Sequence, residues 1–167
     1  MKRHIFILST IGLFALVAVF NSCKKNSYTN TDQLANLGSA TISGHVYARL
    51  VDTIGAADTQ YVPANTVIKL SLNTSDLLYY VDSNAPYAQK YYSASVKSDG
   101  SYSVTIAVSK YKSAIVQVAP ASFNYNLVKQ GVGDSIYTVN KTFSSPSFPV
   151  SLSNDTSAVQ DIYYFHN

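Results

Sequence analysis

The chain of 167 residues carries 12 Lys and Arg against 9 acidic residues, a formal charge of +3, with one cysteine and no tryptophan. A lone cysteine excludes an internal disulfide framework, and no His/Cys grouping has the spacing of a zinc site. Lysine never runs longer than Lys24-Lys25, so no stretch reads as a basic face, and nucleic acid is not an expected partner.

In chain order, Lys2 and Arg3 give a positive start, and residues 5–20 form an apolar run broken only by Ser9 and Thr10. Asn21 and Ser22 end that run short of the roughly 20 apolar residues a membrane-spanning helix needs, so residues 1–22 read as a signal peptide. Phe20-Asn21-Ser22-Cys23 then sets the only thiol directly after a small residue, which resembles the lipobox of bacterial lipoproteins. The resemblance implies lipid attachment at Cys23, and Lys24 rather than an aspartate after it implies delivery to the outer membrane, with the domain on either face. Residues 23–40 are polar, with few large apolar groups, and read as the lipidated cysteine and a flexible tether. Leu34 and Leu37 offer the alternative of a single helical turn against the domain.

Residues 41–167 are expected to form one domain. All nine acids are aspartate, a turn and cap residue, and glutamate, the better helix former, is absent, which points to β structure. Strict alternation marks strands at residues 41–50 and 67–72. The insert at residues 74–89 has Asp76, Asp82, Asn84 and Pro86 as turn makers, with a short strand expected at residues 77–81. Ser98-Asp99-Gly100-Ser101 lies between two alternating runs and predicts a hairpin joining residues 91–96 to 102–108. Further strands are expected at residues 114–119, 136–143, 148–152 and 158–165, separated by Pro120, Gly131, Gly133, Pro146 and Asn154-Asp155. The fold class is therefore all-β, a single antiparallel β-sandwich of seven or so strands.

Ile42-Ser43-Gly44-His45-Val46, then Val62-Pro63-Ala64 running to Leu70, then Asp99-Gly100-Ser101-Tyr102-Ser103-Val104 resemble, in order, the SGxV, PxAxxxVxL and DGxYxV patterns of carboxypeptidase regulatory-like domains in the transthyretin-like superfamily. The match runs from Ile42 to about Val118. It implies a seven-stranded, prealbumin-like or Ig-like sandwich acting as a non-catalytic accessory or binding module. Hydroxyisourate hydrolases of the same superfamily open with a similar histidine-valine strand, but their tyrosine-arginine-glycine-serine tail is missing from Asp161-Ile162-Tyr163-Tyr164-Phe165-His166-Asn167. Fimbrillins, also lipoproteins built from such sandwiches, supply the alternative of a surface-assembly subunit.

No pair of carboxylates, calcium loop or nucleophile elbow appears, so no catalytic residue, metal or cofactor is assigned. Fourteen tyrosines are the unusual feature, with adjacent pairs at Tyr79-Tyr80, Tyr91-Tyr92 and Tyr163-Tyr164. On a strand each pair puts one ring on each face. Tyr79, Tyr80, Tyr87 and Tyr91 are the candidate platform for a glycan or protein partner, with cross-strand packing as the alternative. Asp52-Thr53-Ile54 and Asp134-Ser135-Ile136 resemble a short bacterial O-glycosylation sequon at Thr53 and Ser135.

Overall fold

The computed structural model describes residues 34, 36–54, 56 and 59–166; the expected signal peptide, Cys23 and most of the tether lie outside them. Twelve strands run through the described residues: β1 (Gly38–Ala48), β2 (Val51–Asp52), β3 (Gln60–Tyr61), β4 (Val67–Asn73), β5 (Gln89–Ser95), β6 (Ser101–Val108), β7 (Ala114–Pro120), β8 (Phe123–Gln130), β9 (Ile136–Ser144), β10 (Phe148–Leu152), β11 (Ser157–Val159) and β12 (Ile162–His166). They form two sheets. The smaller has the order β10-β7-β4-β5, and the larger runs β11-β1-β12-β9-β8-β2, with β3 and β6 also paired to β1. The all-β, two-sheet architecture is the one the alternation predicts.

β1 is the hub of the larger sheet. One edge takes β6 antiparallel, from Gly38 opposite Val108 to His45 opposite Ser101, and then β3 at Tyr47 opposite Tyr61. Its other edge takes β11 and then β12, both parallel, with Thr41 opposite Ser157 and Tyr47 opposite Tyr163. These parallel pairs, and a third between β2 and β8, depart from the antiparallel expectation. The single strand expected at residues 158–165 is split at Gln160-Asp161. There the Gln160 carbonyl presses on the Cα of Gly44, where a Cβ would collide with it, and Asp161 Oδ1 accepts the His45 N–H at 2.8 Å. A side-chain carboxylate thus replaces one backbone partner where the ladder is interrupted.

The core lies between the sheets. Even-numbered residues of β1, from Ala40 to Ala48 apart from Gly44, turn inward, as do Ile68, Leu70 and Leu72 of β4 and Val116 and Val118 of β7, all buried. Phe123 stacks on Phe143 with centroids 5.3 Å apart, and Tyr164 leans on Phe123 at 5.1 Å. Two buried tyrosines reach backbone acceptors: Tyr102 Oη donates to the Gln160 carbonyl and Tyr164 Oη to that of Ala121, both at 2.8 Å. Burial pushes each hydroxyl up to about 12, with the Asp161 carboxylate adding to the effect at Tyr102.

Three local expectations are corrected. The Asp-Gly turn forms, with Gly100 at φ 76 and Asp99 Oδ1 accepting from Ser101 N and Oγ, but its flanking strands do not pair with each other. β5 pairs with β4 and β6 with β1, so the turn carries the chain from one sheet across to the other. Residues 77–81 are not a strand: residues 74–77 form one 3₁₀ turn capped by Asn73, whose Oδ1 accepts the Ser75 N–H at 2.9 Å. Strand β8 was not expected at all, yet it pairs with β9 along its whole length, from Phe123 opposite Phe143 to Gln130 opposite Ile136. Strand β1 also starts three residues ahead of the expected domain boundary, and Leu37 packs against the core.

Candidate functional site

The structure sorts the predicted platform into parts. The 3₁₀ turn buries Leu77 and Leu78 as an anchor, and the chain then turns outward, leaving Tyr79 and Tyr80 exposed. Their rings meet edge to face at 4.5 Å, and Tyr79 meets Tyr111, from the β6–β7 connection, at 5.4 Å. Tyr87 does not join them: it is half-buried and its hydroxyl accepts the Asp82 N–H at 2.7 Å, closing its own loop. Tyr91 stands 74 % exposed on β5, beside Ser71 of β4. The one-ring-per-face expectation holds for Tyr91-Tyr92, where Tyr92 turns in and its hydroxyl accepts the Ala107 N–H, and for Tyr163-Tyr164. It fails for Tyr79-Tyr80, which are not on a strand.

A second aromatic group, which the sequence reading missed, lies on the outer face of the larger sheet. The odd-numbered residues of β1 point away from the core, and the register sets Tyr61, Tyr47 and Tyr163 side by side across β3, β1 and β12. Tyr47 stacks on Tyr163 at 5.3 Å and tilts against Tyr61 at 5.5 Å; His45 stacks on Tyr61 at 5.9 Å. Tyr61 and Tyr163 at the ends are 47 % and 49 % exposed, so the row presents ring surface to solvent. Desolvation, then the Asp161 carboxylate, then the neighbouring Tyr61 and Tyr163 hydroxyls raise the Tyr47 pKa. Nothing in the local sequence announces this row, because its rings come from residues far apart in the chain.

The turn at Gly100 supports the row. A Cβ there would strike the Tyr61 ring, so glycine answers both to the positive φ and to the ring lying on the backbone.

Among the described residues the two histidines do not come together. His45 faces outward with the tyrosine row, whereas His166 points inward and meets Phe143 edge-on at 5.3 Å. Arg49 forms an ion pair with Asp52 at 2.9 Å, beside an open cleft of about 410 Å³ bounded by Thr53, Ile54 and Gln130. Thr53 and the exposed Ser135 lie at this same end, where Gln130 Oε1 accepts the Ile54 N–H and the Ser135 carbonyl accepts the Gly131 N–H. No group of three His, Cys, Asp or Glu is placed to hold a metal ion among the described residues.

No protein-family model matches the chain, and no curated protein does. Among the solved structures that resemble it are the following two. One is a putative carbohydrate binding protein from Pseudomonas aeruginosa, 12 % identical, with 82 % of this chain and 97 % of that one covered and a TM-score of 0.39. The other is a shaft pilin from Lactobacillus rhamnosus GG, 12 % identical, with 79 % of this chain and 51 % of that one covered and a TM-score of 0.37. At such scores neither neighbour bears on what this chain binds.

Proposed function

We propose that this chain is a lipid-anchored binding module of the bacterial outer membrane that holds a glycan on the Tyr61-Tyr47-Tyr163 row and does no chemistry on it. The anchor rests on the sequence before Cys23, and the transthyretin-like kinship on the three motifs between Ile42 and Val104. The observation that carries the binding role is the row itself: three rings in register on adjacent strands, flanked by His45, with the outer rings half open to solvent. Burying apolar ring surface against the C–H face of a sugar is favourable. Tyrosine hydroxyls, the imidazole and Asp161 supply polar groups that fix orientation.

The test is a glycan array with the mature protein, followed by calorimetry on any hit. Tyr61→Ala and Tyr163→Ala should each weaken binding by about tenfold, the loss of roughly 1.4 kcal/mol of ring contact, without lowering the unfolding temperature appreciably. Undiminished binding by the double variant would remove the row as the site.

The open edge of β5 favours a second reading, a surface-assembly subunit. Among the described residues β5 ends its sheet, with only β4 beside it, and such an edge is a template for a strand from another chain. Stable ladders or polymers on mild lysis, with no glycan bound, would select that reading.

A further inference from the structure

The exposed aromatic group at Tyr79, Tyr80 and Tyr111 lies at a particular end of the sandwich. Tyr111 belongs to the connection leaving β6 at Val108, and Val108 is the register partner of Gly38, the first residue of β1. Lys110 Nζ from the same connection donates to Asn36 Oδ1 at 2.6 Å. Lys112 Nζ ties the connection to the 3₁₀ turn through the Ser75 carbonyl at 3.0 Å. The aromatic rings therefore flank the point where the chain enters the domain. Tyr79, Tyr80, Val81 and Tyr111 are 56 %, 60 %, 47 % and 64 % exposed, an apolar patch too contiguous to be scattered surface residues.

From these placements we infer that Tyr79, Tyr80, Val81 and Tyr111 form a collar that seats the anchor end of the domain in the headgroup layer of the bilayer. This rests on the lipid-anchor reading of Cys23. The thirteen residues from Lys24 to Asn36 reach at most about 45 Å when fully extended. The entry end is the end of the sandwich joined to the anchor by the shortest path. β1 carries the chain away from it for 11 residues, about 35 Å, to the opposite end. Tyrosine favours this layer because its ring is apolar and its hydroxyl wet, which is the reason for aromatic belts at membrane interfaces. A lipid on a flexible tether holds the domain at the membrane without orienting it, and a second contact at the entry end fixes which way the domain points.

The chain has no tryptophan, so one introduced tryptophan reports alone. Full-length lipidated protein carrying Tyr80→Trp, Tyr111→Trp or Tyr163→Trp is reconstituted into phosphatidylethanolamine/phosphatidylglycerol vesicles with plain or brominated acyl chains and floated. All three positions are largely exposed, and circular dichroism checks that each variant keeps its fold. Tryptophan at 80 and 111 should lose most of its emission in brominated vesicles and shift to the blue, while tryptophan at 163 keeps its emission. Protein that floats with emission unchanged at all three positions would keep the anchor and overturn the collar. Equal quenching at all three would overturn it as well, since the domain would then have no preferred end. Protein that fails to float would overturn the anchor, and the collar with it.

Discussion

Above the ordinary tyrosine range, rising pH should weaken the domain through two hydroxyls that the fold keeps protonated. Tyr102 and Tyr164 are buried, each donates to a backbone carbonyl at 2.8 Å, and each is pushed up from 10.0 to about 12. In the unfolded chain both lose their protons near 10. Between these values the folded state binds more protons than the unfolded one. Their contribution is complete below about pH 10 and declines as pH climbs toward 12. A two-unit shift is worth about 2.7 kcal/mol per group at the top of that window, so the pair removes about 5 kcal/mol. That is comparable with the whole net stability of an ordinary domain.

The assay is denaturant unfolding at a series of pH values, with tyrosinate absorbance followed in parallel, on the wild type and on the Tyr102→Phe/Tyr164→Phe double variant. At neutral pH the double variant should be less stable by about 1–2 kcal/mol for each lost hydrogen bond. Its stability should also fall less steeply across the alkaline window, since lysine titration is common to both proteins. An equally steep fall in the double variant would refute the reasoning. So would tyrosinate forming in a single step near 10 while the fold persists.

Two further substitutions test the packing. Gly100→Ala strains a residue at φ 76 and drives a methyl into Tyr61, so it should cost about 1–3 kcal/mol in thermal or chemical unfolding and weaken glycan binding through displacement of that ring. An unchanged midpoint would mean the turn yields freely. Phe143→Ala removes the fully buried partner of both Phe123 and His166 and should cost about 3–5 kcal/mol, measured by the same unfolding, while a loss under about 1 kcal/mol would place the core elsewhere.

Most of the fold was legible because period-two burial is written residue by residue: the alternation at Ile42, Val46 and Ala48 reads directly as one inward face. What it does not encode is the partner. Ala94, Val96, Tyr102 and Ile106 are buried whether β5 and β6 lie side by side or face each other across the core, so the Asp-Gly turn looked like a hairpin and proved a crossing between sheets. β8 was hidden for another reason. Its run Phe123-Asn124-Tyr125-Asn126-Leu127 alternates, but asparagine is a poor strand former and the run lies between the breakers Pro120 and Gly131. Tyr79 and Tyr80 were expected on a strand with one ring on each face, and both are exposed because the chain there follows a 3₁₀ turn and is not a strand. The row of Tyr61, Tyr47 and Tyr163 could not be anticipated, since it exists only once the register of β3, β1 and β12 is known.

The hub strand sets a schedule for folding. β1 is among the first segments of the domain to be made, yet its second edge is covered only by β11 and β12, and His45 finds its acceptor in Asp161, 116 positions along the chain. Closing so long a loop must precede the contacts that reward it, which places this domain among slow folders. Until those last strands arrive, one edge of β1 has unpaired backbone N–H and C=O groups, and a chaperone or a neighbouring copy of the chain has its best opportunity in that interval.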